Sequence, residues 1–281
     1  MRASLVVVVA VVLALSAVAA WAYPTFPGAT GIVGMPTAAV APTGTIDAAV
    51  DYQKVSLSAI TFDELGGTGT NYPIRAAAGL LDRAELSAGY AILNSDFEDL
   101  KTWNIGAKYQ LMRESTGDLA TVAVGADFAR IQDGDHINAT NLYAVASKNF
   151  AGVCSTMPFA PVAHLGLMWQ DFGDPLDDSF VRPFIGVELI GKESWQGASF
   201  GLEYRFKDSD FDAQAPFSAV LRYDLQSMPL WVEIGTSNLN PAFINTGADA
   251  QKFFFGVGYR FGVTKAEEST GPGGRTRDWG Y

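Results

Sequence analysis

Cysteine is nearly absent: Cys154 is the only one in 281 residues, so no intramolecular disulfide can staple the fold. Histidine is almost as scarce. His136 and His164 are the two present, and with a single thiol they cannot make a transition-metal cluster. Basic charge is also short. Nineteen Lys and Arg face 30 Asp and Glu, giving a net charge of -11 and a pI near 4.6, which argues against nucleic acid and anionic membrane surfaces as partners. After residue 22 no apolar run is long enough for a membrane helix. If such a chain enters a bilayer, it must do so as closed strands.

What is present first is a leader. Met1 and Arg2 give a short positive start, and Leu5 to Ala20 is apolar apart from Ser16. Ala20-Trp21-Ala22 reads as a cleavage site, so residues 1–22 are expected to be a secretory signal peptide and Tyr23 the first mature residue. Loss of Arg2 would take the charge from -11 to -12. A membrane anchor fits less well, because the run is short and no basic cluster follows it. Residues 23–43 are punctuated by Pro24, Pro27, Pro36 and Pro42 and show no sustained period. They are expected to form an extended segment that can fold into a barrel mouth.

The remainder alternates. In residues 253–262, Phe253, Phe255, Val257, Tyr259 and Phe261 share one face, while Lys252, Phe254, Gly256, Gly258, Arg260 and Gly262 share the other. One face asks for hydrocarbon and the other for room and water. Twelve segments repeat that logic: 45–53, 72–81, 84–93, 100–111, 119–131, 140–150, 161–170, 180–190, 197–207, 217–225, 230–237 and 252–262. Each approaches the ~10 residues of a tilted membrane strand. Segment 140–150 does not reveal which face is which, and Pro183 predicts a break or bulge within its strand. The fold class is therefore all-β: a single antiparallel up-and-down transmembrane β-barrel of about 12 strands over residues 44–262, followed by a flexible periplasmic tail over 263–281.

Connections alternate between short turns carrying Arg83, Arg113 and Lys192 and longer loops rich in Asp and Glu. The long loops are expected at 55–71, 131–139, 171–179, 208–216 and 238–251, and 151–160 is a misfit on the short side. Tyr90, Trp103, Trp169, Tyr223, Trp231, Tyr259 and Phe261 are expected to form interfacial girdles on the apolar face. A soluble barrel would show the same alternation turned inside out, so a secreted lipocalin-like binder is the competing fold.

Asp47, Asp51, Arg75, Glu85, Lys108, Asp127, Glu188, Glu203, Arg205, Arg222, Asp224, Glu233, Lys252 and Arg260 fall on the polar face as a candidate lumen charge network. Inward charges of both signs either pair across strands and fix register or line a solute path. Glu203, Arg205, Arg222 and Asp224, on adjacent segments, are the expected ladder. No enzyme is expected. His164 has no serine at the next same-face position, and His136 sits among acids. Asp208, Asp210 and Asp212 are spaced like the start of a calcium loop, but Ala213 and Ala219 stand where the glycine and the closing Glu belong. No catalytic residue, metal or cofactor is implied. Divalent cations held by the acidic loops could bridge to lipopolysaccharide phosphates.

Residues 28–45, with Thr30, Gly31, Pro36, Thr37, Ala38, Pro42 and Gly44, resemble the N-terminal signature of YjbH-like outer-membrane proteins, and this chain reads as a short, single-barrel relative. That resemblance implies an outer-membrane place and a role in exopolysaccharide export or envelope biogenesis. The expected partners are outer-membrane lipid, lipopolysaccharide and the barrel-assembly machinery, which would read Tyr259-Arg260-Phe261. Polysaccharide or small solutes are the expected cargo. A narrow porin-like channel is the alternative function, and surface anchoring is the one favoured by a plugged lumen.

Overall fold

The structure is a computed structural model that describes residues 23–26, 28–57, 67–95, 99–114, 119–133, 135–173, 178–207, 214–225, 227–239 and 247–262. The signal peptide and tail expected at 1–22 and 263–281 lie outside these residues. So do Asp63, Glu64, Asp96, Glu98, Asp174, Asp177, Asp208, Asp210 and Asp212 of the acidic loops.

Twelve antiparallel strands close one barrel. They are β1 (Ile46–Leu57), β2 (Gly67–Leu80), β3 (Ala84–Ser95), β4 (Asp99–Met112), β5 (Thr121–Asp133), β6 (Asp135–Asn149), β7 (Phe159–Phe172), β8 (Asp178–Gly191), β9 (Ala198–Arg205), β10 (Phe217–Leu225), β11 (Leu230–Leu239) and β12 (Gly247–Phe261). Each pairs with its sequence neighbours, and β1 closes on β12 from Ile46↔Phe261 to Ser56↔Gln251. Closure leaves no unpaired edge. Among the described residues the one helical piece is a 3-10 turn at Glu193–Trp195.

The barrel is polar inside and apolar outside. Ile105 is 55% exposed and Phe255 52%, whereas Glu203 is 2% and Arg205 1% exposed. Phe200, Tyr204 and Tyr259 also face outward. Water solvates such an exterior poorly and hydrocarbon solvates it well, so the outer band is the membrane face and the soluble lipocalin-like alternative is ruled out. Ile105→Arg, midway along β4, should therefore destabilise the barrel by ~2–4 kcal/mol in equilibrium unfolding from lipid vesicles. On a water-facing surface the same change would sit within about 0.5 kcal/mol of neutral.

Several expectations need correction. The 131–139 loop is strand: β5 runs to Asp133 and β6 starts at Asp135, with those two residues paired. β8 continues through Pro183 with its β7 register unshifted. The Pro183 carbonyl accepts from Phe206 N–H at 3.1 Å, so its missing N–H points to the side where β9 has just ended. β6 resolves its faces: Tyr143 and Val145 turn inward, Leu142 and Ala144 outward. Trp231 is no girdle residue. It is buried in the lumen, opposite Gly258, whose missing side chain leaves space for the indole.

The lumen is filled, and the filling is the N-terminal segment. Residues 23–41 are buried throughout, apart from half-buried Phe26 and the undescribed Pro27. Short bridges at Pro24↔Thr30 and Gly31↔Pro36 fold the segment on itself. Its apolar side, Ile32, Val33, Met35 and Ala38, packs on inward Tyr143, Val145, Met168, Phe184, Val220 and Phe254. Gly186 and Gly201 leave room for Ile32, since a Cβ on either would come within 2.6 Å of an Ile32 carbon. The small residues of the inner face are thus space for this plug.

Candidate functional site in the barrel lumen

All fourteen residues of the anticipated charge network lie on the inner face, and all but Asp224 and Arg260 are fully buried. Three pairs bridge neighbouring strands as expected, each directly opposite in register: Asp47–Arg260, Glu85–Lys108 and Arg222–Glu233. The β9–β10 ladder is arranged differently. Glu203 and Arg222 do not oppose each other across the β9–β10 pair: Ser218 faces Glu203, and Ser199 faces Arg222. The network also grips the backbone of the plug.

Glu203 is the tightest cradle. Its Oε2 accepts from the N–H groups of Val33, Gly34 and Met35 at 3.1, 3.1 and 2.9 Å, and its Oε1 accepts from Gly34 at 3.0 Å. The sharp turn after Ile32 aims three successive amides at one place, and a carboxylate offers acceptors only. Arg205, on the same strand two residues on, donates to the Gly34 carbonyl, and Arg222 donates to that of Ile32. Donors and acceptors of one turn are thus met by adjacent strands.

On the opposite wall Glu85 accepts from Thr30 N–H at 2.7 Å and Ala41 N–H at 2.8 Å. Lys108, 3.4 Å from Glu85, donates to the carbonyls of Thr30 and Thr37 at 2.9 and 3.2 Å. Gln110 donates to the Ala38 carbonyl, and Ser147 Oγ accepts from the Ala38 N–H, each at 3.0 Å. Thr30, Thr37 and Ala38 are thus held on this side, and Ile32 to Met35 on the other.

On the wall formed by β2, β1, β12 and β11, Arg75 reaches from β2 to two carboxylates that flank Gly256. Its guanidinium meets Asp51 at 2.9 and 3.0 Å, contacts Glu233, donates to the Pro24 carbonyl and lies 5.2 Å from the Phe26 ring centroid. Arg222 Nε adds a 2.8 Å bond to Glu233. At the mouth where β1 and β12 begin and end, Arg260 pairs with Asp47 at 2.5 Å. There Tyr23 donates its hydroxyl to Asp224 and stacks edge-on with Trp231. Burial, then the Asp224 carboxylate, holds the Tyr23 phenol well above its ordinary pKa, so it stays a donor. Asp127 accepts from Asn141 at 2.6 Å.

Sequence reasoning missed two elements here. Arg182 is buried on the inner face of β8, six residues from Glu188, and parity alone would have found it. Ser147, His164 and Glu188 come together across three strands. Ser147 Oγ lies 2.8 Å from His164 Nδ1, and His164 Nε2 lies 3.2 Å from Glu188 Oε2. No local motif announces them, because β6, β7 and β8 each supply one member. Ser147 Oγ is already engaged by the Ala38 amide, so the trio acts as a further clasp on the plug.

No family model and no curated protein matches this chain. Solved structures of barrels do. The chain is similar to the translocator domain of the autotransporter NalP from Neisseria meningitidis, at 16% identity over 78% of this chain and 89% of that one, with a TM-score of 0.43. It is similar to the KdgM porin at 12% identity over 76% and 99% of the two chains, with a TM-score of 0.44. An outer-membrane channel from Pseudomonas putida F1 gives 14% identity, 78% and 96% coverage and a TM-score of 0.45. At these scores the likenesses carry no argument about what passes through the barrel, and the chain's own geometry has to supply one.

Proposed function

We propose that this chain is a narrow outer-membrane channel for small solutes, closed at rest by its own N-terminal segment. The supporting observation is where the two ends of the plug lie. Tyr23 sits on Trp231 and Asp224, at the start of β11 and the end of β10. Thr43 bonds Asp82 in the β2–β3 turn at 2.6 Å. Both belong to the mouth of short turns, so the segment enters and leaves by one opening. It can be withdrawn as a unit, without threading past the far loops, while Gly44 tethers it to β1. What it would uncover is a mixed wall: the charged and amide side chains that a water-filled path requires, beside an apolar patch of Tyr143, Val145, Met168, Phe184, Val220 and Phe254.

An apolar exterior on a closed antiparallel barrel suits the bacterial outer membrane. Export through a cleaved leader at residues 1–22, contact with lipopolysaccharide and insertion by the barrel-assembly machinery complete this reading. A role in polysaccharide export is supported by the resemblance of residues 28–45 alone, and that stretch is the plug.

Planar-bilayer recording tests the proposal. The chain starting at Tyr23 should leave the bilayer sealed apart from rare openings. A variant lacking residues 23–41, shown folded by its heat-modifiable migration, should give stepwise conductance. A sealed bilayer from that folded variant would overturn the channel and favour a structural anchor.

A further inference from the structure

We propose that Lys252 and Gln53 hold one small monovalent anion, of chloride or bromide size, in the cavity between Phe26 of the plug and the β12–β1–β2 wall. The proposal concerns the barrel with its plug seated and does not rest on the plug's withdrawal.

Lys252 is 1% exposed and lies on the inner face of β12, paired with Val55 and Ser237. Three other buried cations of the lumen have carboxylates at hand: Arg75 has Asp51 and Glu233, Lys108 has Glu85, and Arg222 has Glu233. Among the described residues Lys252 Nζ has no hydrogen bond and no ion pair, and the Phe26 ring centroid lies 5.9 Å away. Taking an ammonium out of water without a counter-charge costs several kcal/mol. A bound anion would offset that cost.

The space for that is present. Lys252, Gln53, Asn71, Thr102, Asn104 and Phe26 line a cavity of about 20 Å³, and no carboxylate lines it. That volume admits one water-sized body. Gln53 Nε2 is buried with no partner, since the Gln53–Asn71 pair is joined through Asn71 Nδ2 to Gln53 Oε1 at 3.0 Å. Asn71 Oδ1 is likewise unpartnered. Lys252 and Gln53, each with an unpartnered donor, therefore line the same small space, with Asn71 beside them. A water could accept both donors and donate to Asn71, but it would leave the charge uncompensated. A monatomic anion meets both donors and the charge.

The test uses the full mature chain in detergent. Thermal unfolding is followed at constant ionic strength in sodium bromide, sodium chloride or sodium gluconate, an anion too large for the cavity. Midpoints should be higher in the halides and should rise with halide concentration as mass action requires. Lys252→Met should abolish this dependence. Gln53→Leu, which keeps the charge, should weaken the apparent affinity about tenfold, the scale of one charge-assisted hydrogen bond. Crystals grown in bromide should show an anomalous peak beside Lys252. Equal midpoints in the three salts with no anomalous peak would mean that the cavity holds water only and would overturn the proposal. A halide dependence that survives Lys252→Met would overturn it too.

Discussion

Glu203→Leu should open the barrel. The substitution keeps the bulk of the side chain and removes every acceptor facing the amides of Val33, Gly34 and Met35, which now meet a carboxylate at 2.9–3.1 Å. Each stranded amide costs about 1–3 kcal/mol, less than additively, so about 4 kcal/mol of plug seating should vanish. That is a shift of about 10³ in the closed-to-open ratio. Glu203→Gln separates geometry from charge. With its oxygen in the place of Oε2 it can still accept from all three amides, so it should lose only about 1–2 kcal/mol of charge assistance. Conductance frequency and protease cutting within residues 23–41 should both rank Leu above Gln above the parent chain. If Glu203→Leu is as quiet and as protected as the parent, the cradle does not hold the plug.

How much of this could be read from the chain alone depends on which physical signal each feature leaves. Strand alternation is strong, because lipid outside and charge inside impose a period of two on every strand. Strand number, closure and the inward side of Glu203, Arg205 and Arg260 follow from it. Strand ends were less legible. Hydrogen bonding carries β5 and β6 past the apolar band to Asp133 and Asp135, where nothing in the alternation marks a stop. Trp231 shows the risk of reading residue type over parity. It lies two residues from Glu233 and must share its face, yet a tryptophan near a strand end suggests a girdle. The plug was the least visible feature. Residues 23–43 have no period because they follow no lattice of their own. Their conformation is set by Glu85, Lys108, Glu203 and Arg222, which stand far away in sequence. Glu85 and Lys108, and Arg222 and Glu233, do pair across neighbouring strands, as their shared face implies; what a shared face does not reveal is what fills the space between the walls.

Arg75→Met should damage the barrel itself more than any other single change in the lumen. Arg75 joins Asp51 of β1 to Glu233 of β11 over Gly256 of the intervening β12 and donates to Pro24 of the plug. Without it, Asp51 is a buried carboxylate stripped of its guanidinium, while Glu233 retains Arg222 Nε at 2.8 Å. Breaking a buried pair from one side costs about 3–5 kcal/mol, because the orphaned charge stays out of water. Removing both partners is milder, so Arg75→Met combined with Asp51→Leu should recover most of that loss in urea unfolding from lipid vesicles. A single variant costing under about 1 kcal/mol would mean that the surrounding charges already satisfy Asp51. The double variant still lacks the donor to the Pro24 carbonyl, so a plug that stays protease-sensitive after barrel stability has returned would measure what Arg75 contributes to closure apart from what it contributes to folding.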